Sequence, residues 1–193
     1  MKPCILWIHG LNCTSKIFTY MHSKMPAHNA VFVEYDSQRS VENSIKTAML
    51  AIPEQGTFSI VGHSLGGILG HLIATRNTSR VDNLVTISTP FGGSDAAGKL
   101  KWFYPSVQIF KDIAPRSSII KELTKAAPTC PFLSIVSEAG SLPFIVGKND
   151  GVVSIESQMS IKPTHRLSVN SNHFEAVQDI DTLNAVKQFI FKK

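Results

Sequence analysis

The 193-residue chain has few cysteines, few charges and no long apolar run. Its three cysteines, Cys4, Cys13 and Cys130, are odd in number and show no paired spacing, which fits a reduced compartment better than a disulfide framework. Zinc-type spacing and a dinucleotide-binding glycine fingerprint are both missing, so neither a cofactor nor a metal is expected. No apolar run approaches the roughly 20 residues needed to span a bilayer, and no cleavable leader pattern precedes the strand-like start at 4–8. The expectation is a cytoplasmic chain without a transmembrane segment. Charged residues make up 17%, and the net charge of +5 is scattered rather than gathered in a run, so no nucleic-acid partner is expected. Nothing in the sequence signals an oligomeric state.

What the chain does have is an ordinary globular share of hydrophobic residues, 43%, and enough length to bury one core. A single domain over 1–193 is expected. Short apolar, β-rich runs recur at 4–8, 31–35, 58–61, 84–88, 132–137 and 167–169, and each predicts a buried strand. Helical patterns at 41–51, 65–76 and 182–191 fall between or after them. This alternation predicts an α/β architecture: a mostly parallel sheet of about six strands with helices on both faces. The connection at 91–129 is far longer than the usual few residues and predicts a short helical insertion, a candidate lid or acyl-binding wall. It carries the aromatic cluster Trp102, Phe103, Tyr104 and Phe110. Further on, Ser117 or Ser118 is placed to cap a helix burying Ile119, Ile120 and Leu123.

The segment Gly62-His63-Ser64-Leu65-Gly66-Gly67 lies between a predicted strand and a predicted helix, the context in which a serine becomes an exposed nucleophile on a tight turn. Such a turn demands very small residues two positions either side of the serine, and Gly62 and Gly66 meet that demand. The helix beginning behind Ser64 aims unpaired amides at a developing oxyanion, with Leu65 N–H as one donor. On its own the motif is also compatible with a glycine-rich turn carrying an incidental serine.

A serine hydroxyl needs a base at the same sheet edge. Of the seven histidines, His173 follows the last predicted strand and should stand at its carboxyl end, whereas His165 precedes that strand and should stand at the opposite edge. A carboxylate must orient the imidazole. Asp150, in Asn149-Asp150-Gly151, lies between the fifth strand and His173 and gives the chain order Ser, Asp, His. Asp95 is its main rival and Asp36 a weaker one. The loop after the first strand, His9-Gly10-Leu11-Asn12, offers Leu11 N–H as a second oxyanion donor.

Together these motifs resemble the α/β-hydrolase superfamily across nearly the whole chain, and within it the small bacterial lipases and lipase-like esterases, including the group related to deacylases of GPI anchors. Ser88-Thr89-Pro90-Phe91-Gly92-Gly93-Ser94 is similar to their Thr-Pro segment and Asp112-Ile113-Ala114-Pro115-Arg116-Ser117 to their insertion helix. The resemblance implies a serine esterase acting on a small-molecule or lipid ester, with Ser64 as nucleophile, Asp150 as acid, His173 as base, and Leu65 with Leu11 as oxyanion donors. The same scaffold also serves thioesterases, amidases, acyltransferases and non-catalytic ligand binders. From the residues alone, 93–99 has the spacing of a phosphate-binding loop, but Leu100 stands where Ser or Thr would hold magnesium, so a chance match is expected.

Overall fold

Strands built from β-branched and large apolar residues, without polar alternation, need cover on both faces. The computed structural model, which describes residues 2–77, 79–143, 145 and 147–191, provides it. Six strands, β1 (Cys4–Ile8), β2 (Asn29–Val33), β3 (Phe58–His63), β4 (Val81–Ile87), β5 (Phe132–Ser137) and β6 (His165–Val169), form one sheet in the order β2-β1-β3-β4-β5-β6. Every neighbouring pair is parallel. The helices are α1 (Thr19–Lys24), α2 (Val41–Ala51), α3 (Leu65–Arg76), α4 (Asp95–Phe103), α5 (Gln108–Asp112), α6 (Ser118–Lys125), α7 (Ile155–Gln158) and α8 (Ile180–Phe191).

Alternate residues of each strand enter opposite cores. Leu6, Ile8, Phe58, Ile60, Leu84 and Phe132 pack with α2, α3 and the helices after β4. Ile5, Trp7, Val61, Val85, Ile87 and Ile135 pack with Met21 of α1 and Leu183, Val186 and Ile190 of α8. Because α3 is apolar almost all round, its first ten residues are buried between the sheet and its neighbours. At its far end Arg76 is within 2.7 Å of Glu42 on α2 and 2.9 Å of Glu122 on α6, tying three helices at the surface.

The strand ends differ from the sequence reading in physically informative ways. β2 ends at Val33, two residues early, because Tyr35 leaves the ladder to donate from its hydroxyl to His9 O at 2.6 Å. β3 runs on to His63, since Gly62 and His63 stay in register with Thr86 and Ile87. β4 stops before Ser88, whose φ of 53° is incompatible with a ladder.

The segment after β4 forms three helices. Ser117 caps α6, accepting Ile120 N–H at 3.2 Å, and Ile119, Ile120 and Leu123 are buried as their spacing requires. Ile109 and Ile113 join the same core, so the insertion is anchored in the packing rather than resting on it. Its aromatic cluster divides: Phe110 packs against the core, whereas Trp102 and Phe103 are each 79% exposed.

Candidate active site

Ser64 sits alone between the last residue of β3 and the first of α3, with φ 54° and ψ −120°. This conformation is one that L-residues rarely adopt, and holding it costs on the order of 1–3 kcal/mol. The turn is held from both sides: Ser64 N–H donates to Ile87 O at 2.9 Å, and Ser64 O accepts Gly67 N–H at 3.0 Å. Close approach explains the flanking glycines. A Cβ on Gly66 would lie 2.0 Å from Ile8 O, and one on Gly62 would lie 2.4 Å from Gly66 O.

His173 comes from the loop after β6 and meets Ser64 with Nε2 at 3.0 Å from Oγ. Its Nδ1 lies 2.8 Å from Asp150 Oδ2. A carboxylate only accepts, so the imidazole proton belongs on Nδ1, and Nε2 is left to accept the Ser64 hydroxyl. The loop is fixed by its backbone as well. His173 N–H donates to Asp150 O at 2.9 Å, and His173 O accepts from His63 Nε2 at 2.9 Å.

Asp150 is fully buried. Its Oδ1 accepts the N–H groups of Val152 at 2.9 Å and Val153 at 2.7 Å, while Oδ2 accepts from Ser137 Oγ at 2.6 Å and Gln158 Nε2 at 3.1 Å besides His173. Burial pushes the carboxyl pKa up, but the hydrogen bond and charge of His173, the Ser137 hydroxyl and the Val153 amide outweigh it, and the net shift is downward. Asp150 therefore stays ionised wherever His173 needs it. His63, beneath, behaves oppositely: complete burial, then repulsion from His173, lowers its pKa to about 3, so it remains neutral.

Leu65 N–H opens α3, and among the described residues neither it nor Leu11 N–H donates to a protein acceptor. The Leu11 peptide is oriented by its carbonyl side. Gly10 O accepts from His9 Nδ1 at 2.9 Å and from Cys13 N–H at 3.3 Å. In a trans peptide the N–H points the other way. The loop lies against Ser64, since a Cβ on Gly10 would stand 3.0 Å from Ser64 Cβ. Both donors border a pocket of about 130 Å³ at Ser64, which Pro90, Ile113, Val153 and Phe174 also line.

Three distant segments thus converge at one edge of the sheet, and the rivals lie elsewhere. Asp95 is exposed in the first turn of α4, Asp36 is paired with Arg39 at 3.2 Å on the surface, and His165 opens β6 at the opposite edge. Most amides at 93–98 are taken: Gly93 N–H donates to Pro90 O, Ser94 N–H to Ile113 O, Ala97 N–H to Ser94 Oγ and Gly98 N–H to Ser94 O. From the insertion only Ser94 and Ile113 reach the pocket, and the aromatic cluster expected there does not. The sequence reading missed Ser137, Gln158 and His63. Two carried a faint signal: Ser137 ends a strand at the same edge, and His63 is an imidazole beside Ser64 at the end of a buried strand. Gln158 carried none.

Residues 10–108 match the family model of the alpha/beta hydrolase fold. No curated protein matches the sequence. Among solved structures, the chain is similar to the mature Bacillus licheniformis lipase BlEst2, with TM-score 0.73 and 15% identity, covering 98% of this chain and 92% of that one. It also resembles a lipase-esterase related protein from Clostridium acetobutylicum, with TM-score 0.64 and 14% identity over 97% and 94% of the two chains. A metagenomic carboxyl esterase superposes with TM-score 0.69 and 16% identity over 97% of this chain and 71% of its own. At such identities the likeness is one of fold.

Proposed function

The chain belongs to the α/β-hydrolase family, and on that premise we propose that it is a serine esterase that cleaves its substrate through an ester of Ser64. The observation that carries the reading is the unbroken relay from Ser64 Oγ to His173 Nε2 at 3.0 Å and from His173 Nδ1 to Asp150 Oδ2 at 2.8 Å, next to two unpartnered amides. Esterases and lipases among the similar folds support it.

In this scheme Ser64 Oγ attacks the ester carbonyl carbon, its proton passes to His173 Nε2, and the carbonyl π pair becomes an oxyanion facing the Leu11 and Leu65 N–H groups. Collapse re-forms the carbonyl and breaks the bond to the alcohol oxygen, which leaves with the proton from Nε2. Water then repeats the sequence on the acyl-Ser64 ester and releases the acid. Asp150 holds the Nδ1 proton and stabilises the transient imidazolium without itself being protonated.

The test is a matched set of aryl esters, thioesters and anilides assayed with the parent and with Ser64→Ala. Ester turnover by the parent, lost in the variant, is expected. Folded parent protein inert to every ester, or a variant as active as the parent, would overturn the reading.

A further inference from the structure

The space beside Ser64 is small for its family of tasks. At about 130 Å³ it falls well below the roughly 300–1,000 Å³ of sites that enclose drug-sized ligands. It is close to an apolar cavity of about 150 Å³ that accepts a six-carbon ring. The carbonyl carbon and oxygen of a bound ester must lie between Ser64 and the Leu11 and Leu65 amides, which border the same space. Room for about four more carbons is left.

The walls are fixed in place. Ile113 enters from the insertion and is 5% exposed; its carbonyl accepts Ser94 N–H at 2.8 Å, and the carboxylate of neighbouring Asp112 accepts Val41 N–H at 2.8 Å. Val153 is tied to the turn that holds Asp150, donating its N–H to Oδ1 at 2.7 Å. Moving either wall means breaking core packing or stripping the acid of its partners. Of the residues lining the pocket, Val152 and Phe174 are themselves 36% and 53% exposed, so acyl carbons laid against them gain little burial. Trp102 and Phe103 face solvent and do not line it.

Resting on the serine-esterase reading, we propose that the site is built for short acyl groups, about two to five carbons counting the carbonyl, and that Ile113 ends the acyl pocket. The insertion then acts as a rigid stop.

The experiment is kcat/KM for the p-nitrophenyl esters of acetate, butyrate, hexanoate, octanoate and dodecanoate, all below their micelle concentrations. Each methylene that is buried should raise the constant about fourfold, so butyrate should exceed acetate by roughly sixteenfold and the gain should stop at hexanoate. Ile113→Ala, which removes three carbons from the wall, should carry the gain on to octanoate. Should that variant not fold, Ile113→Val, one methylene smaller, should raise the hexanoate-to-butyrate ratio by a few fold. A constant still climbing through dodecanoate in the parent, or a break unmoved in the folded Ile113 variant, would overturn the size limit while leaving the esterase reading intact. No turnover of any member by folded protein would overturn both.

Discussion

At the amino-terminal edge of the sheet the strands begin around a broad groove of about 980 Å³, bordered by Lys2, Asn29, Thr57, Asp82 and Asn83. At the carboxyl-terminal edge the space is about 130 Å³. The larger hollow is chemically quiet. Its polar groups are scattered, and Thr57 Oγ1 donates to Asp82 Oδ2 at 2.7 Å on the surface, linking the start of β3 to β4. The smaller one gathers Ser64, His173 and Asp150 into a single relay, with Ser64 and Ser88 held at φ 54° and 53° just past the ends of β3 and β4. Volume, then, says little about where a parallel sheet does chemistry. Convergent buried polar groups and stored backbone strain say much more.

Substitutions test this contrast, and the steepest should be Ser64→Ala. Loss of the nucleophile is expected to lower kcat by about 10⁵ to 10⁶, read as initial rates on a short aryl ester. Next, Asp150→Asn should lower kcat by about 10⁴, because an amide in place of the carboxylate favours the wrong imidazole tautomer. Asp95→Asn, exposed and outside the relay, should stay within about twofold. A larger loss from Asp95→Asn than from Asp150→Asn would reverse the assignment of the acid.

The carboxyl edge should also dominate the acid sensitivity of the fold. His63, held near a pKa of about 3 by burial, is neutral in both states above its ordinary value of 6.5. As pH falls below 6.5 the unfolded chain takes up the proton and the folded one does not, so stability declines progressively from 6.5 toward 3. Burial lowers His71 to about 4 and adds to the same slope. Asp150, depressed instead, contributes stability that is lost only as pH drops through the carboxylate range below about 4. Denaturant titrations at pH 7, 6, 5 and 4 should show a shallower slope in His63→Asn than in the parent, whatever its absolute stability. An unchanged slope would contradict the buried neutral histidine.

The smallest effect is expected at the other edge. His165 is exposed against Phe189, with its Nδ1 3.0 Å from Thr164 Oγ1. Replacing it by Ala should change activity by less than about twofold and stability by no more than about 0.5 kcal/mol. A tenfold loss of activity would break the distinction between the two edges.

Much of this was legible in the sequence because it is local. The ranges of β1, β5, α2 and α3 follow from apolar runs and periodicity, and the elbow announces itself through a serine flanked by glycines between a strand and a helix. His173 and Asp150 followed from chain order and strand ends. The support around Asp150 was not legible. Ser137 and Gln158 reach it across 13 and 8 residues, through a fold that no periodicity encodes. The aromatic cluster misled for a related reason: apolar composition marks a residue for burial, yet Trp102 and Phe103 of α4 are each 79% exposed among the described residues. Ile113 appeared in the sequence only as part of the 112–117 segment, with nothing to mark it as lining the pocket.

The most direct measurement is intact-protein mass spectrometry with peptide mapping after exposure to a small fluorophosphonate. One adduct, on the peptide carrying Ser64, forming rapidly in the parent, far more slowly in Asp150→Asn and not at all in Ser64→Ala, is the expected result. An adduct that persists in folded Ser64→Ala, or that maps to another residue, would contradict it.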